Sequence, residues 1–248
     1  MRVVITRPRD QAGPLAEALE AQGFEPVFFP TIRISPVTDT RRLDEAMRCL
    51  PGCDWAVFTS ANAVIAVWER LERLGLVFPA GLRVAAIGPR TAACLAAHGI
   101  TSDFVPDEFV SEAVVPGLGD LKGMRVFLPL ADLAGETLAQ AVESAGGTAE
   151  VVTAYHTRSA DPDPDGLAAL RAGVDAVAFT SGSTAGNFAA LVREAGLDPF
   201  QLPGDPLIAC IGPKTAAAAQ SAGFRVDLVA KEYTIEGLVS ALKGVPIR

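Results

Sequence analysis

The chain has 248 residues, of which 50% are hydrophobic and 20% are charged, so its composition is that of a globular protein and not of a disordered or fibrous one. A formal net charge of −8 argues against a nucleic-acid partner, and no apolar run approaches the roughly 18 residues that a membrane span requires. We therefore expect a cytoplasmic protein that binds neither nucleic acid nor membranes.

The candidate metal ligands are few. The cysteines show no CxxC spacing, so we interpret them as small core residues in a reducing compartment and expect no metal site. No GxGxxG or GxxxxGK motif follows a predicted strand, so we expect no dinucleotide or nucleotide cofactor. The cysteines and histidines of the chain are Cys49, Cys53, Cys94, Cys210, His98 and His156.

From its start the chain alternates short apolar runs with helical patterns. Apolar, β-branched runs predict strands, and longer patterns that end at glycine predict helices. In chain order the predicted elements are the strand RVVIT, the helix LAEALEAQG, the strands EPVFFP and WAVFTS, the helix NAVIAVWERLERLG, the strand VAAIG, the helix TAACLAAHG and a strand in SDFVP at 102–106. Uninterrupted apolar strands that alternate with helices indicate a parallel sheet covered on both faces.

The second half of the chain repeats the first. Its repeated segments keep their order and nearly keep their spacing, so we predict a tandem duplication of a unit of about 123 residues. The fold predicted from this pattern is α/β, with two doubly wound parallel-sheet domains. The matched segments are 2–27 with the segment that begins at 125, 54–64 with 175–185, 82–100 with 206–224, and PDEFVSEAVV at 106–115 with AKEYTIEGLV at 230–239.

Small polar residues follow two equivalent strands of this pattern. FTSAN places Ser60 and Asn62 at a predicted strand-to-helix junction, and FTSGS places Ser181 and Ser183 at its counterpart. Ligands of doubly wound sheets bind at the carboxyl ends of the strands, which makes these residues candidate ligand contacts. Helix capping alone is the alternative interpretation, because serine and asparagine are ordinary N-cap residues.

The next strand of each repeat ends in IGPRTAA at 87–93 or IGPKTAA at 211–217. The proline suits the first helical position, and Thr91 or Thr215 then falls in the first turn, where unpaired backbone N–H groups favour anions. Lys214 and Arg90 could add positive charge there. Two domains that each offer such helix N-termini would suit a sizeable ligand with several carboxylates or phosphates.

In order and spacing these segments resemble the uroporphyrinogen-III synthase family, over nearly the whole chain. The resemblance is carried by VITRP, FTSANAV, IGPRTA, VSEAVV, AYHTR, FTSGST, IGPKTA and TIEGLV. It implies two α/β domains joined by a two-stranded linker. It places residues 1–34 and 160–248 in domain 1, residues 36–157 in domain 2, and the linkers near 33–40 and 157–166.

The resemblance also implies a reaction. Members of this family cyclise hydroxymethylbilane to uroporphyrinogen III, with loss of water and inversion of ring D through an azafulvene and a spiro intermediate. This chemistry needs no cofactor, and positioning is its main physical demand because the substrate otherwise closes to the type I isomer. We accordingly expect hydroxymethylbilane as substrate, a transient handover from hydroxymethylbilane synthase, and a monomer.

Two residues take roles from the resemblance. Tyr155 matches the family's tyrosine, and its phenol could protonate the departing hydroxyl; a tyrosine that merely packs is the alternative. Arg7 could bind a substrate carboxylate through its guanidinium fork, or it could be a solvated arginine at a helix start. The second repeat departs from the family pattern, with Leu130 and Gly135 where basic residues are usual.

A binding protein is the other class left open. Two similar α/β lobes also occur in non-catalytic sensors of small molecules or tetrapyrroles, and turnover would separate an enzyme from a sensor.

Overall fold

The computed structural model describes residues 1–108 and 111–245; Phe109 and Val110, within the repeated PDEFVSEAVV segment, lie outside the described residues. The strands are β1 (Arg2–Ile5), β2 (Glu25–Phe28), β3 (Ile32–Pro36), β4 (Trp55–Phe58), β5 (Arg83–Ala86), β6 (Arg125–Ala131), β7 (Thr148–Ser159), β8 (Ala176–Phe179), β9 (Leu207–Cys210) and β10 (Leu228–Val229). The helices are α1 (Arg9–Glu20), α2 (Arg41–Cys49), α3 (Ala61–Leu74), α4 (Pro89–Ala97), α5 (Ser111–Val114), α6 (Thr137–Ser144), α7 (Pro164–Ala172), α8 (Gly182–Glu194), α9 (Pro213–Ser221) and α10 (Ile235–Lys243). Short 3₁₀ turns span Leu50–Gly52 and Val115–Leu118.

The chain divides into two compact units. Unit 1 comprises Met1–Arg33 and Arg158–Arg248, and unit 2 comprises Ile34–Thr157. The chain therefore passes between the units within β3 and again near the end of β7. These two strands are neighbours in one sheet, so the connection is two-stranded.

Unit 1 contains a five-stranded sheet in the order β10-β9-β8-β1-β2, and its paired strands run parallel. Numbered within the unit, this is the doubly wound order 2-1-3-4-5, in which the strand order reverses between β1 and β8. Alternate residues of each strand face opposite sides of a sheet. Val4 and Phe179 accordingly pack in one hydrophobic core, and Ile5 and Ala178 pack in another.

Unit 2 repeats this arrangement. Its sheet has the order β3-β7-β6-β4-β5, so that β6 and β7 correspond to β1 and β2, and β4 and β5 correspond to β8 and β9. Hydrophobic cores again lie on both faces of the sheet. The first repeat thus supplies β1 and β2 to unit 1 and β4 and β5 to unit 2, and the second repeat does the converse. The α/β, doubly wound, duplicated fold predicted from the sequence is confirmed.

One predicted strand is shorter than expected. The SDFVP segment contributes a single parallel bridge, between Ala85 and Phe104. Backbone hydrogen bonds still join the segment to β5, from Asp103 to Val84 at 2.7 Å and from Ala86 to Phe104 at 3.0 Å, and the Asp103 carboxylate also accepts the backbone N–H of Val84 at 2.7 Å. Separately, none of the helices in the described ranges has both the length and the apolar character needed to cross a bilayer.

Candidate active site

The carboxyl edge of the unit 2 sheet brings together Ser60 and Tyr155. Ser60 is the N-cap of α3, and its Oγ accepts a hydrogen bond from the backbone N–H of Ala63 at 3.2 Å. The same Oγ lies 3.0 Å from the Tyr155 hydroxyl oxygen. The Tyr155 side chain is 8% exposed, and its ring packs in the core of this unit. A buried phenol therefore has one defined partner, the oxygen of a helix-capping serine.

The neighbouring strand of this sheet, β5, leads into α4, the helix that carries Thr91. β5 lies next to β4, and the backbone N–H of Ile87 donates to the carbonyl of Phe58 at 3.0 Å, so the two strands end together. Gly88 is the N-cap of α4 and Pro89 is its first residue. Thr91 is 6% exposed, and its hydroxyl makes no hydrogen bond within the described part of the chain. Its hydroxyl thus does not cap the helix. Asn62 is partly buried in the first turn of α3, and Arg90 is exposed.

In unit 1, β1 and β8 meet at the point where the strand order reverses. Thr6, which follows β1, is fully buried, and its hydroxyl donates to the carbonyl of Ala178 at 3.0 Å. Thr31 in turn donates to the carbonyl of Thr6 at 3.1 Å. These bonds fix the end of β1, and the next residue is the partly buried Arg7. Arg7 therefore lies at the position where doubly wound sheets bind their ligands.

The counterpart of Arg7 in unit 2 differs in both chemistry and position. Leu130 is 5% exposed and packs in the hydrophobic core of unit 2. Gly135 is exposed and lies before α6. Neither residue can supply a positive charge, so the two repeats are not equivalent in their cationic groups.

Ser181 occupies in unit 1 the position that Ser60 occupies in unit 2. The backbone conformations of the two N-caps are nearly identical, with φ/ψ of −155°/157° for Ser181 and −155°/155° for Ser60. The Ser181 hydroxyl does not cap α8; it lies 3.2 Å from the hydroxyl of the exposed Ser183. Thr184 donates to the Ser181 carbonyl at 2.7 Å. The Ser181 and Ser183 hydroxyls thus form an exposed pair at the start of α8.

The start of α9 carries Lys214 and Thr215 next to the start of α8. Gly212 is the N-cap, Lys214 is exposed, and Thr215 is 6% exposed with a hydroxyl that makes no hydrogen bond to the described residues. A Cβ atom added to Gly212 would lie 3.3 Å from Cδ1 of Tyr233. The ring of Tyr233, whose residue is 67% exposed, therefore packs against the helix start.

Sequence reasoning assigned no role to Tyr233 or to Asp132. The hydrophobic pattern around Tyr233 gives no signal, since only the tertiary fold places its ring over Gly212. Asp132 follows β6, and its carboxylate contacts the residues after Tyr155. Within residues 1–108 and 111–245, no group of three or more histidine, cysteine, aspartate or glutamate residues is placed to hold a metal ion.

The fold and these edges define a class of protein: a duplicated, doubly wound α/β protein that presents helix N-termini and hydroxyl groups at the carboxyl ends of its strands, where such proteins bind small molecules. The family model described as uroporphyrinogen-III synthase HemD matches residues 13–240. The uroporphyrinogen-III synthase of Synechococcus elongatus is 35% identical over 249 residues, covering 97% of this chain and 94% of the relative. The chain belongs to the uroporphyrinogen-III synthase family, and the resemblance seen in the sequence is confirmed.

Other relatives agree. The uroporphyrinogen-III synthase of Chlorobaculum parvum is 28% identical over 242 residues, covering 93% of each chain. A crystal structure of a mutant uroporphyrinogen III synthase from the extremely thermophilic bacterium Thermus thermophilus matches with a TM-score of 0.67 at 22% identity, covering 98% of this chain and 97% of that one. The enzyme from Helicobacter pylori matches with a TM-score of 0.61 at 16% identity, over 98% and 97% of the two chains. These structures share the fold of this chain.

Proposed function

We propose that this chain is a uroporphyrinogen-III synthase that cyclises hydroxymethylbilane to uroporphyrinogen III with loss of water and inversion of ring D. The observation that carries the proposal is the identity of 35% to the Synechococcus elongatus synthase over 97% of the chain. The family match over residues 13–240 agrees with it.

Tyr155 is the acid in this proposal. The hydroxyl of the hydroxymethyl group leaves more readily as water than as hydroxide, so a proton donor held near that oxygen speeds the cleavage of the C–O bond. Ser60 Oγ accepts the N–H of Ala63 and still has its own proton to donate to the Tyr155 oxygen 3.0 Å away. The phenol proton then remains available for the leaving hydroxyl. In this arrangement Ser60 orients Tyr155 and stabilises the phenolate oxygen as its proton departs.

The substrate carries eight carboxylates, whereas the protein has a formal charge of −8. Overall charge therefore opposes binding, and local donors must offset the repulsion. The backbone N–H groups at the starts of α4 and α9 supply such donors without adding formal charge. The side chains proposed to add to them are Arg7, Asn62, Thr91, Ser181, Ser183, Lys214 and Thr215. Ser60, the remaining candidate from the sequence, acts in this proposal through Tyr155, to which it donates its single proton.

Thr91 and Thr215 are the strongest of these side chains as candidates. Both residues are buried, yet neither hydroxyl oxygen is among the described atoms that are buried without a hydrogen-bond partner, so each hydroxyl is accessible to a ligand that offers a hydrogen bond. Neither residue forms one within the described chain, and each lies in the first turn of a helix whose N-cap is a glycine. In this proposal each hydroxyl donates a hydrogen bond to a different carboxylate of the substrate.

Tyr233 supplies a flat surface in this proposal. Its ring packs against Gly212 on one side, and the residue is 67% exposed. An electron-rich pyrrole can stack on such a ring, and an aromatic pair contributes about 0.5–1.5 kcal/mol beyond burial.

The monomeric state, the handover from hydroxymethylbilane synthase and the cytoplasmic location stay predictions.

Turnover tests the proposal against a binding protein. Purified chain is mixed with a hundredfold excess of hydroxymethylbilane, generated from porphobilinogen, and the bilane remaining is measured against a protein-free control. We expect many equivalents to disappear faster than in the control. A tetrapyrrole sensor would bind about one equivalent and leave the rate of spontaneous closure unchanged.

A further inference from the structure

β7 contains an irregularity immediately before Tyr155. β6 and β7 pair residue by residue from Arg125 with Thr148 up to Leu130 with Thr153, and the next pair is Ala131 with Tyr155. Ala154 is therefore an extra residue with no partner, which is the definition of a β-bulge. Bulges occur next to active sites because they redirect a side chain.

The bulge decides which face of the sheet receives Tyr155. In a regular strand, Tyr155 would share a face with Thr153 and lie opposite Ala154. Instead, Tyr155 packs in the same hydrophobic core as Val152 and Ala154. Phe58, two residues before Ser60, belongs to that core as well. The extra residue therefore puts the phenol on the face where it reaches the Ser60 hydroxyl.

Asp132 holds the bulged end of β7 from the neighbouring strand. Its backbone N–H donates to the carbonyl of Tyr155 at 3.1 Å, and its Oδ1 accepts the backbone N–H of Thr157 at 2.9 Å. Its Oδ2 lies 3.0 Å from Nδ1 of His156, within ion-pair distance but without hydrogen-bond alignment. The side chain of Asp132 is 16% exposed. One residue thus contacts three consecutive residues of β7, beginning with Tyr155.

We propose that Asp132 is a positioning residue for the cyclisation: by holding residues 155–157 of the bulged strand it directs the Tyr155 phenol at Ser60. Asp132 acts through Tyr155 and does not itself contact the substrate. The assignment of a catalytic effect rests on the proposed function, whereas the structural effect on Tyr155 can be measured without any substrate.

The chain contains two tyrosines, so fluorine labelling reports on each of them separately. The protein is labelled with 3-fluorotyrosine, and the two ¹⁹F signals are assigned with Tyr155→Phe and Tyr233→Phe. We expect Asp132→Ala to move the Tyr155 signal toward that of the exposed Tyr233 and to leave the Tyr233 signal in place. Asp132→Asn keeps an oxygen for the Thr157 N–H and should restore the signal of the wild type.

Kinetics separate positioning from general destabilisation. Asp132→Ala should lower kcat by about tenfold to a hundredfold, the loss typical of a displaced catalytic group, with a smaller change in KM. In a Tyr155→Phe background the same substitution should have little further effect, because the group that it positions is already gone. Asp103→Ala is the matched control, since Asp103 also accepts a backbone N–H within unit 2 but lies beyond β5. It should lower the melting temperature without moving the Tyr155 signal or kcat.

Two results would overturn the assignment: an unchanged Tyr155 signal in folded Asp132→Ala, or an equal loss of kcat with and without the Tyr155 hydroxyl. If Asp132→Ala does not fold, Asp132→Glu keeps the charge and displaces the acceptor, and an unchanged signal and kcat in that variant would be equally contradictory. A wild-type protein that makes no type III product would refute the proposed function while leaving the ¹⁹F result valid.

Discussion

The Tyr155 hydroxyl lies 3.0 Å from Ser60 Oγ although the two residues are 95 positions apart, in different repeats of the chain. If Ser60 acts through Tyr155, removing either hydroxyl should produce losses that overlap. We expect Tyr155→Phe to lower kcat by at most about a hundredfold, since an electron-rich pyrrole already activates the leaving hydroxyl. Ser60→Ala should lower it less. The double variant should be no slower than Tyr155→Phe, as measured in a double-mutant cycle on kcat.

Ser60→Ala also removes a helix cap, and Ser181→Ala is the control that replaces an equivalent serine without removing a capping bond. Ser60 caps α3 through its side chain, and losing such a cap costs about 1 kcal/mol. Ser181 has the same backbone conformation but no capping bond, so Ser181→Ala should lower the free energy of unfolding less than Ser60→Ala does. If the losses of kcat in Ser60→Ala and Tyr155→Phe multiply in the double variant, Ser60 and Tyr155 act independently.

The two buried threonines are expected to serve binding more than folding. Thr91→Val and Thr215→Val keep the shape of the side chain and remove a hydroxyl that has no hydrogen bond within the described chain. We expect both to raise KM with little change in melting temperature. The rate of type III formation at several substrate concentrations gives KM, and thermal unfolding of the same preparations gives the melting temperature.

Thr184→Val is the matched control for these variants. Thr184 is 3% exposed, and its hydroxyl donates to the carbonyl of Ser181 at 2.7 Å, so its loss should destabilise the fold by about 1 kcal/mol. Equal destabilisation by Thr91→Val, Thr215→Val and Thr184→Val would mean that the first two hydroxyls are structural.

Tyr233 is expected to contribute through its ring and not through its hydroxyl. Tyr233→Phe should leave KM nearly unchanged, whereas Tyr233→Ala should raise it about threefold to tenfold, the loss of one aromatic stacking contact. Because the residue is 67% exposed, neither substitution should change the melting temperature much. Equal KM values for the phenylalanine and alanine variants would remove Tyr233 from the site.

An ion pair between α2 and α3 predicts a pH dependence of stability. The Arg70 guanidinium hydrogen-bonds to Asp44 and holds the pKa of that carboxyl below its ordinary value, against the opposing effect of burial. Because the pKa is lower in the folded state, the pair stabilises the fold fully above the unfolded pKa of about 3.9, and this stability is lost as the pH falls through the folded pKa. Asp44→Asn should therefore lower the melting temperature at pH 7 and have progressively less effect in acid.

Thermal unfolding between about pH 7 and pH 2 checks this sign. Asp39→Asn is the control, because its pair with Arg41 also lowers the pKa of the aspartate, to about 2, but both side chains are exposed. Salt screens such exposed pairs, so the control should change the melting temperature little. A difference between wild type and Asp44→Asn that is as large at pH 2 as at pH 7 would contradict the account.

Most of the fold could be predicted from the repeats in the sequence. Parallel strands buried on both faces give uninterrupted apolar runs, and a repeated motif shows that the same unit occurs twice. The SDFVP segment was predicted as a strand because it continues the alternation of strands and helices, but its pairing comes down to one bridge at Phe104. The alternation of elements does not report how many hydrogen bonds a strand forms, and Val105 of this segment is 37% exposed.

Less of the candidate site could be predicted from the sequence. Ser60 was predicted at a strand-to-helix junction and Tyr155 was selected by the family resemblance, but their contact depends on the strand order and on the bulge at Ala154. A period of two would assign Tyr155 to the wrong face, and nothing in the local pattern marks the extra residue. For the same reason Asp132, whose contacts lie on the neighbouring strand, gave no signal in the sequence.

The isomer composition of the product shows whether this chain is a uroporphyrinogen-III synthase. Hydroxymethylbilane is generated with hydroxymethylbilane synthase in the presence of increasing amounts of this protein, the products are oxidised, and type I and type III uroporphyrin are separated by chromatography. We expect type III to rise with protein concentration until it is the main product. Type I alone at every concentration, from protein shown to be folded by circular dichroism, would contradict this expectation.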